Sequence, residues 1–308
     1  MRILVSGGAG FIGSHTVDLL TAAKKHEIAV VDDLSTGKRA QLDPAARFYH
    51  ADIRNAGEVR MIIDRERPEL LIHLAAQMDV RKSVAEPTFD AEVNISGFLN
   101  LMESAREKGL RRVVFASSGG VIYGEQEQFP CGEEHPLRPI SPYGVAKLAT
   151  ESYLFFYKVQ YGIDYVALRY GNVYGPRQDP HGEAGVVAIF CGRILEGKAC
   201  TIYGDGEQTR DYVYVGDVAR ANLAAVDSAA SGPFNIGMGV ETSVNRLYGS
   251  LAAIAGTRFE PVYAPGRAGE QRRSVVSPER AVRDLGWKAE TKLEDGLKRT
   301  LEFFKGKA

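Results

Sequence analysis

The stretch ILVSGGAGFIGSH, residues 3–15, decides the fold of this chain. Its first three residues form an apolar run typical of a buried strand, and the residues from Ser14 to Ala23 have the pattern of an amphipathic helix. Gly8, Gly10 and Gly13 lie in the turn between them and match GxGxxG, whose glycines permit a tight turn and the close approach of a pyrophosphate to a helix N-terminus. The stretch therefore predicts a dinucleotide-binding βαβ unit, with cofactor contacts from Gly7, Gly10, Phe11, Ile12 and Gly13.

Asp32 indicates which dinucleotide is bound. It ends the second predicted strand, 19 residues after Gly13. A carboxylate at this position accepts the 2′-hydroxyl of an adenosine ribose and repels a 2′-phosphate. Lys38 and Arg39 follow closely and would favour a phosphate, but the acid leads us to predict NAD rather than NADP.

The rest of the chain alternates short apolar runs with segments of helical period. Strands are predicted at residues 3–5, 28–31, 70–74, 112–116 and 165–168. Apolar strands between helices are typical of a parallel sheet covered on both faces. After Tyr170, clusters of turn residues separate shorter elements. We therefore predict an α/β fold with a doubly wound, Rossmann-type parallel sheet. The cofactor domain spans 1–170, and a smaller, mixed α/β substrate domain is made mainly of 171–308, with some segments returning to the first domain.

Composition narrows the class of partner. The 308 residues are 44% apolar and 25% charged, and 38 Lys and Arg residues nearly balance 39 Asp and Glu residues. The sequence has no basic tail that would favour binding to nucleic acid, and no apolar segment approaches the ~20 residues of a membrane span. Cys131, Cys191 and Cys200 have neither metal-ligand nor CxxC spacing, so we expect free thiols and no metal site. These features predict a cytoplasmic protein that binds a small molecule.

The segment SPYGVAK, residues 141–147, carries the candidate catalytic pair. Ser141 and Pro142 are typical of a helix start, which places Tyr143 and Lys147 one turn apart on one helix face. An ammonium beside a phenol, together with a positively charged nicotinamide, favours phenolate and lowers the pKa of the tyrosine. We therefore expect Tyr143 to act as base and acid toward a substrate hydroxyl.

The sequence also resembles a known family along essentially its whole length. The segments that carry the resemblance are GGAGFIGSH (7–15), VDDLSTG (31–37), ADIRN (51–55), HLAAQ (73–77), YGVAK (143–147), LRYGNVYGPRQ (168–178) and RDYVYVGDVA (210–219). They are similar to those of the extended short-chain dehydrogenase/reductases of the NAD-dependent epimerase/dehydratase type, most closely the bacterial UDP-glucose 4-epimerases. The resemblance implies bound NAD, a UDP-sugar substrate and epimerisation at the sugar 4-carbon through a 4-keto intermediate.

The resemblance extends the predicted cofactor site beyond the glycine turn and Asp32. It implies contacts around the ribose and adenine, along the segment after the fourth strand and at the border of the active site. Tyr143 and Lys147 would also touch the cofactor. The additional residues are Asp33, Ser35, Thr36, Gly37, Asp52, Ile53, Leu74, Ala75, Ala76, Gln77, Asn94 and Tyr170.

The serine that assists the tyrosine in this family has no counterpart at its usual position. That position, four residues before a Tyr-Gly pair, is occupied by Gly119. Ser118 is our candidate to hydrogen-bond the sugar hydroxyl, with Ser117 as the alternative and a plain structural role for both left open. The family's dehydratases and decarboxylases carry Asp or Glu at the next two positions, which here are Gly120 and Val121. Elimination of water is therefore not expected.

The resemblance assigns substrate binding mainly to the second half of the chain. Arg210 and Arg267 match arginines that bind a diphosphate, and Glu270 matches an acid that binds the nucleotide ribose. Further contacts are expected from Asn172 at the phosphates, Tyr203 at the nucleotide base and Val187 in the helix after 182–185.

Ser274 bears on the size of the sugar. It stands four residues after Glu270, where family 4-epimerases that exclude a 2-acetamido group have a bulky Tyr. We therefore expect interconversion of UDP-glucose and UDP-galactose, and also of UDP-GlcNAc and UDP-GalNAc. The alternatives are a UDP-glucuronate epimerase or a reductase of the same family, and a catalytically silent NAD sensor.

The resemblance also implies a homodimer. Helices at 94–108 and 143–161 would pair with their counterparts as a four-helix bundle. Apolar residues on these helices suit that interface, although they could equally face their own sheet: Phe98, Leu101, Met102, Ala105, Leu154, Phe155 and Tyr157.

Overall fold

The computed structural model describes residues 1–180, 185–257, 259–266 and 271–306. Numbered along the chain, the strands are β1 (Arg2–Ser6), β2 (Glu27–Asp32), β3 (Arg47–His50), β4 (Leu70–His73), β5 (Arg112–Ser118), β6 (Asp164–Tyr170), β7 (Asn172–Tyr174), β8 (Thr201–Tyr203), β9 (Thr209–Arg210), β10 (Tyr212–Tyr214), β11 (Gly232–Ile236), β12 (Thr242–Ser243), β13 (Val262–Ala264) and β14 (Arg273–Ser274). The helices are α1 (Phe11–Ala23), α2 (Ala56–Glu66), α3 (Val80–Ala85), α4 (Pro87–Ala91), α5 (Gly97–Ala105), α6 (Pro142–Tyr161), α7 (Val186–Leu195), α8 (Val215–Asp227), α9 (Val244–Ala255), α10 (Glu279–Leu285) and α11 (Leu293–Lys305). A 3₁₀ turn, Arg39–Gln41, follows β2, and a π-helical turn, Glu92–Ser96, leads into α5.

The main sheet has seven parallel strands. Their order across the sheet is β11, β6, β5, β4, β1, β2, β3, and every neighbouring pair runs in the same direction. Strand order reverses between β1 and β4, so the carboxyl ends of these strands border the crevice in which such sheets bind ligands. The predicted doubly wound sheet is confirmed.

Two apolar layers cover the faces of this sheet. Because successive strand residues point to opposite faces, β5 contributes Val113 and Phe115 to the layer beneath α2, α5 and α6. Val114 and Ala116 enter the layer beneath α1 and α8. All four side chains are at most 9% exposed, so burial on both faces explains why the strand is apolar.

The apolar pattern misses two strands of the sheet. β3 carries Phe48 and Tyr49 only partly buried between two polar residues, so it lacks the continuous apolar run of its neighbours. β11 comes from the second half of the chain but pairs with β6, and α8 packs against α1. The division into domains at residue 170 stays a prediction. β11 and α8 are segments from beyond that residue that pack with the first domain.

The second half of the chain also builds its own apolar cluster. β7 pairs with β10 and β8 with β13 in parallel, whereas β9 lies between antiparallel β12 and parallel β14. α7, α9 and α11 pack around Phe190, Tyr248 and Leu297. Within the described ranges, no helix combines the length and apolarity needed to cross a membrane.

Apolar residues of α5 and α6 face in two directions. Phe155 is 60% exposed on α6. The other six candidates for a dimer interface face their own sheet, which is the alternative left open above, and are 2% exposed or less: Phe98, Leu101, Met102, Ala105, Leu154 and Tyr157.

Candidate active site

The glycine turn between β1 and α1 has no room for side chains. Gly7 has a positive φ of 72°, and a Cβ atom on it would lie 2.5 Å from the amide nitrogen of Ala75. A Cβ on Gly13 would lie 2.1 Å from the carbonyl oxygen of Gly7. The glycines therefore let α1 begin directly against the end of β1 and the segment after β4.

The N-terminus of α1 suits an anion. Gly10 is its N-cap and offers no side-chain hydrogen bond, so the first-turn amides of Phe11, Ile12 and Gly13 have no intrahelical acceptor. Such amides and the positive end of the helix dipole attract phosphates. Together with the side-chain-free turn, they fit the pyrophosphate of a dinucleotide.

Asp32 lies beside this turn, at the carboxyl end of β2. Its Oδ2 accepts a hydrogen bond from the amide of Ala9 at 2.9 Å, and its Oδ1 accepts one from Leu34 at 2.8 Å. A Cβ on Gly37 would lie 2.9 Å from Oδ1, so the turn at 33–37 closes over the carboxylate. Burial raises the pKa of Asp32 above its usual value. Two backbone amides thus orient an acid where the ribose of a dinucleotide is expected.

The other predicted cofactor residues near the turn differ in exposure and in hydrogen bonding. Asp33 accepts a hydrogen bond from the Ser35 hydroxyl at 2.6 Å, and Thr36 is exposed. Hydrogen bonds from the arginine two residues on lower the pKa of Asp52. Ile53 is 6% exposed in the apolar layer. Its backbone is therefore the part that can face a cofactor.

Asn94 fixes the predicted cofactor segment at 74–77. Its Oδ1 accepts from the backbone amide of Gln77 at 3.0 Å, and its Nδ2 donates to the Gln77 carbonyl oxygen at 2.9 Å. The Asp90 carboxylate, 1% exposed, accepts from both side-chain amides at 3.0 Å. Asn94 therefore acts on this segment through its backbone. Leu74, Ala75, Ala76 and Gln77 remain partly exposed.

Tyr143 and Lys147 lie where α6 begins. The Lys147 ammonium donates to the carbonyl oxygen of Ala116 at 2.8 Å and lies 5.5 Å from the centroid of the Tyr143 ring. Burial lowers the pKa of Lys147 to about 8, although Asp90 and Glu151 raise it. The two residues are thus adjacent in space, with a buried cation beside the phenol.

The surroundings of Tyr143 within the protein act on its pKa. Burial raises it above the usual value for a tyrosine, and the Asp90 carboxylate raises it further. The reason is that a phenolate loses its hydration in a buried site. The expected lowering of this pKa depends on a positively charged nicotinamide beside the ring, so it stays a prediction.

The two candidate serines lie on opposite faces of β5. Ser117 is 3% exposed and donates its hydroxyl proton to Glu151 Oε1 at 2.6 Å. Ser118 is partly exposed, and a Cβ on Gly120 would lie 3.8 Å from both Ser118 Oγ and Asn172 Oδ1. Ser118 and Asn172 therefore converge at the carboxyl edge of the sheet, whereas Ser117 is bound to α6.

Close packing explains the glycine at the family's usual serine position. A Cβ on Gly119 would lie 2.8 Å from Cγ1 of Val276 and 3.2 Å from the carbonyl oxygen of Arg169. A side chain here would therefore require the chain around Val276 to move.

Arg210 and Ser274 are neighbours in the small sheet of β9, β12 and β14. The register of β9 and β14 pairs them directly, and Ser274 is 3% exposed. The guanidinium groups of Arg272 and Arg273 are held by carboxylates at 2.8 and 2.7 Å. Ser274 is thus buried next to a predicted phosphate ligand.

The remaining substrate and cofactor candidates have mixed outcomes. Tyr203 is 37% exposed and lines a cavity of about 130 Å³. Val187 is 1% exposed in the apolar cluster of α7, so only its amide, in the first turn after Gly185, is available to a ligand. Tyr170 is buried and donates its hydroxyl proton to an asparagine of α8 at 2.8 Å. Three further candidates lie outside the described residues: Arg267, Glu270 and the 182–184 part of the loop before α7.

Sequence reasoning missed several buried polar residues of the site. Asp90, Glu151 and Arg169 are 1%, 8% and 2% exposed. Asp211 accepts hydrogen bonds from three backbone amides, and burial raises its pKa to about 6. Only Glu151 carried a usable signal, its place four residues after Lys147 on the same helix face.

Cysteines and other metal-binding side chains form no centre in the described ranges. Cys131, Cys191 and Cys200 are free and buried. Among the residues that the structure describes, no three His, Cys, Asp or Glu side chains come together as metal ligands.

Comparison with solved structures agrees with this geometry. A UDP-glucose 4-epimerase from Thermotoga maritima, solved with UDP-glucose, is 50% identical, and the match covers 100% of this chain and 99% of that one with a TM-score of 0.97. A Thermus thermophilus UDP-glucose 4-epimerase, solved with NAD, is 45% identical over 100% of both chains with a TM-score of 0.95. A UDP-N-acetylglucosamine 4-epimerase from Methanobrevibacter ruminantium is 33% identical, with 100% of this chain and 99% of that one covered and a TM-score of 0.93.

Residues 3–237 match the NAD dependent epimerase/dehydratase family. This range contains the glycine turn, Asp32 and the Tyr143–Lys147 pair. The glycine turn and the oriented acid fit the family's cofactor, NAD. The chain therefore belongs to the NAD dependent epimerase/dehydratase family.

Proposed function

We propose that this protein is a UDP-hexose 4-epimerase that interconverts UDP-glucose and UDP-galactose with bound NAD. One observation carries the proposal: Tyr143 and Lys147 are adjacent at the start of α6, with Lys147 bonded to the end of β5. The chain's similarity to UDP-glucose 4-epimerases at 50% and 45% identity supports it.

Tyr143 moves the proton in the proposed reaction. NAD, when bound, supplies the hydride acceptor and a positive charge near the phenol. Burial raises the pKa of Tyr143, whereas that charge and the Lys147 ammonium both favour loss of its proton. Tyr143 then takes the proton from the sugar 4-hydroxyl and later returns it to the 4-keto sugar.

Ser118 is the proposed hydrogen-bond partner of the sugar oxygen. Its exposure and its convergence with Asn172 near Gly120 favour it over Ser117, whose hydroxyl is bound to Glu151. Neither Gly120 nor the following residue carries an acid. The site therefore has groups for oxidation and reduction but none of the usual ones for elimination.

The nucleotide end of the substrate is assigned to the second half of the chain. Arg210 is proposed at the diphosphate, with Arg267 as its partner and Glu270 at the ribose. Tyr203 borders the cavity that we assign to the base. The first amides of α7, including that of Val187, would add hydrogen bonds to phosphate.

The sugar pocket is proposed to accept a 2-acetamido group. Ser274 is small and lies next to Arg210. The guanidinium groups of Arg272 and Arg273 are already engaged in ion pairs, so they do not compensate for the missing aromatic ring. The 33% identical UDP-N-acetylglucosamine 4-epimerase supports this extension.

A homodimer in the cytoplasm is the proposed state of the protein. Phe155, Phe156 and Val159 are 60%, 43% and 65% exposed on α6. An apolar helix surface of this kind is typical of an interface between protein chains. The three free thiols support a reducing compartment.

One experiment tests the activity directly. Purified protein is incubated with UDP-galactose and no added cofactor, and UDP-glucose is measured. Its formation without consumption of external NAD(H) supports the proposal. A product that appears only in proportion to added NADH would instead indicate a reductase, and turnover of UDP-glucuronate alone would indicate the other epimerase.

A further inference from the structure

A row of buried polar residues crosses three strands of the main sheet. Ser117 of β5 is in register with Arg169 of β6, and Arg169 is in register with Asn235 of β11. The three residues are 3%, 2% and 0% exposed. On β5, Ser117 follows Val113 and Phe115 on the face of the sheet that α6 covers. The row of polar residues therefore lies at the edge of an otherwise apolar layer.

Arg169 joins this row to α6. Its Nε and Nη2 donate to the two carboxylate oxygens of Glu151 at 3.0 and 2.7 Å, and its Nη1 donates to the Tyr123 hydroxyl at 2.9 Å. Tyr123 in turn donates to Asn235 Oδ1 at 2.6 Å. A buried ion pair stabilises a fold no better than well-packed apolar side chains, because both charges lose their water. Its presence therefore points to a role beyond stability.

The Glu151–Arg169 ion pair lies next to the contacts that join α6 to the end of β5. Two consecutive residues of β5 hold α6: the Ala116 carbonyl oxygen accepts from Lys147 at 2.8 Å, and the Ser117 hydroxyl donates to Glu151 at 2.6 Å. The next residue is Ser118. Any shift of α6 along β5 would break both contacts and move Tyr143 relative to Ser118.

We propose that Glu151 and Arg169 are positioning residues that fix the register of α6 on β5, and thereby the place of Tyr143 and Lys147 relative to Ser118. The catalytic meaning of this register rests on the proposed function. Neither residue is proposed to touch the reacting atoms. Their effect is carried by the two hydrogen bonds between α6 and the end of β5.

Removal of the Glu151 charge provides a measurable signature. The charged or titratable groups near Lys147 are Asp90 from α4, Glu151 and Tyr143 from α6, and His73 from β4, with Arg169 behind Glu151. Burial lowers the pKa of His73 to about 3, so it is neutral. Without the carboxylate, Arg169 is left as an uncompensated cation. The loss of the carboxylate charge and the uncompensated Arg169 cation both disfavour the ammonium form, so the pKa of Lys147 must fall.

The test titrates Lys147 by NMR in the NAD-bound enzyme labelled with ¹⁵N-lysine. Its signal is assigned by its loss in Lys147→Arg. Glu151→Gln should lower the pKa of Lys147, whereas Arg169→Gln, which removes the cation instead, should not lower it. An unchanged titration in Glu151→Gln overturns the proposal. No substrate is needed, so absence of epimerase activity in the wild type would refute the proposed function and leave this measurement intact.

Glu66→Gln is the matched control. Glu66 is 6% exposed and accepts from Arg47 at 2.6 Å and from the Tyr49 hydroxyl. It is therefore a buried acid with the same kinds of partner, but it lies between α2 and β3. Its replacement should lower the melting temperature without changing the Lys147 titration. A shift of equal size in both variants would mean a general structural effect and would overturn the proposal.

Ser117→Ala keeps the test decisive if Glu151→Gln does not fold. It removes one hydrogen bond and leaves the ion pair in place. We expect the Lys147 ammonium protons to exchange faster with water and kcat to fall about tenfold, less than in Ser118→Ala, while KM changes by about twofold at most. A merely structural role would lower the melting temperature and leave kcat of the folded enzyme unchanged. Unchanged proton exchange in this variant also counts against the proposal.

Discussion

The ammonium nitrogen of Lys147 lies 5.5 Å from the centroid of the Tyr143 ring. Both groups are desolvated, and burial shifts their pKa values in opposite directions: the lysine loses its proton more easily and the tyrosine less easily. Each neutral form is favoured by a low-dielectric site. A positively charged nicotinamide beside the ring would therefore favour the phenolate form of Tyr143.

Tyr143→Phe should lower kcat more than a hundredfold while NAD remains bound, because only the proton acceptor is lost. Steady-state kinetics and the NAD content of the purified protein check this. Tyr153→Phe is the control, since Tyr153 is on the same helix and 38% exposed. Wild-type turnover by the Tyr143→Phe enzyme would end the assignment.

Ser118→Ala should lower kcat about ten- to a thousandfold if its hydroxyl polarises the sugar oxygen. The comparison is with Ser117→Ala, which acts only through Glu151 and should have the smaller effect. The two variants are compared by kcat at saturating UDP-galactose. If Ser117→Ala is crippling and Ser118→Ala is silent, the assignment of the two serines is reversed.

Lys147→Met should make the fold more stable near pH 7, by about 3 kcal/mol. Burial lowers the folded-state pKa of Lys147 from 10.5 to about 8. Below pH 8 the folded protein carries the full cost of a buried ammonium, whereas between about 8 and 10.5 only the unfolded chain keeps the proton, so wild-type stability rises through that window.

The stability advantage of Lys147→Met should therefore shrink as pH approaches 10. Urea unfolding of both proteins at pH 7 and pH 9.5, after removal of bound NAD, measures it. An advantage that does not change with pH contradicts the lowered pKa. The same variant should lose activity, because the cation beside Tyr143 is gone.

Phe155→Glu should convert the proposed homodimer to a monomer. The side chain is 60% exposed on α6, and a carboxylate buried without a partner at an interface is strongly unfavourable. Light scattering at micromolar concentration checks this. Phe259→Glu is the control, because Phe259 is 47% exposed and lies outside α6. If the wild-type protein is a monomer at that concentration, the proposed dimer interface is wrong.

Ser274→Tyr should suppress turnover of UDP-GalNAc selectively and leave UDP-galactose turnover largely unchanged. An aromatic ring next to Arg210 would fill the space that the acetamido group needs. The measurement is kcat/KM for the two substrates in wild type and variant. Wild-type discrimination against UDP-GalNAc beyond about a thousandfold, ~4 kcal/mol, would mean that other residues close the pocket.

The sequence alone was sufficient for the cofactor fold. The turn from Gly7 to Gly13 depends on contacts between residues close in the chain and on backbone conformations that glycine favours, so its pattern identified the unit. The spacing of Tyr143 and Lys147 likewise predicts one helix face, because helix geometry alone places residues four apart side by side. The central strands were recognisable since burial on both faces keeps them apolar.

Tertiary structure decided the rest. Two adjacent serines look equivalent in the sequence. Only the register of β5 against β6 and α6 places the Ser117 hydroxyl on Glu151 and leaves Ser118 partly exposed at the carboxyl edge of the sheet. Phe98 and Phe155 both read as apolar helix residues, yet one is 0% exposed and the other 60%. Burial also raises the pKa of Tyr143, an effect that the spacing of Tyr143 and Lys147 does not reveal. In each case the deciding contacts join segments far apart in the chain, and local patterns carry no information about which distant side chains will meet.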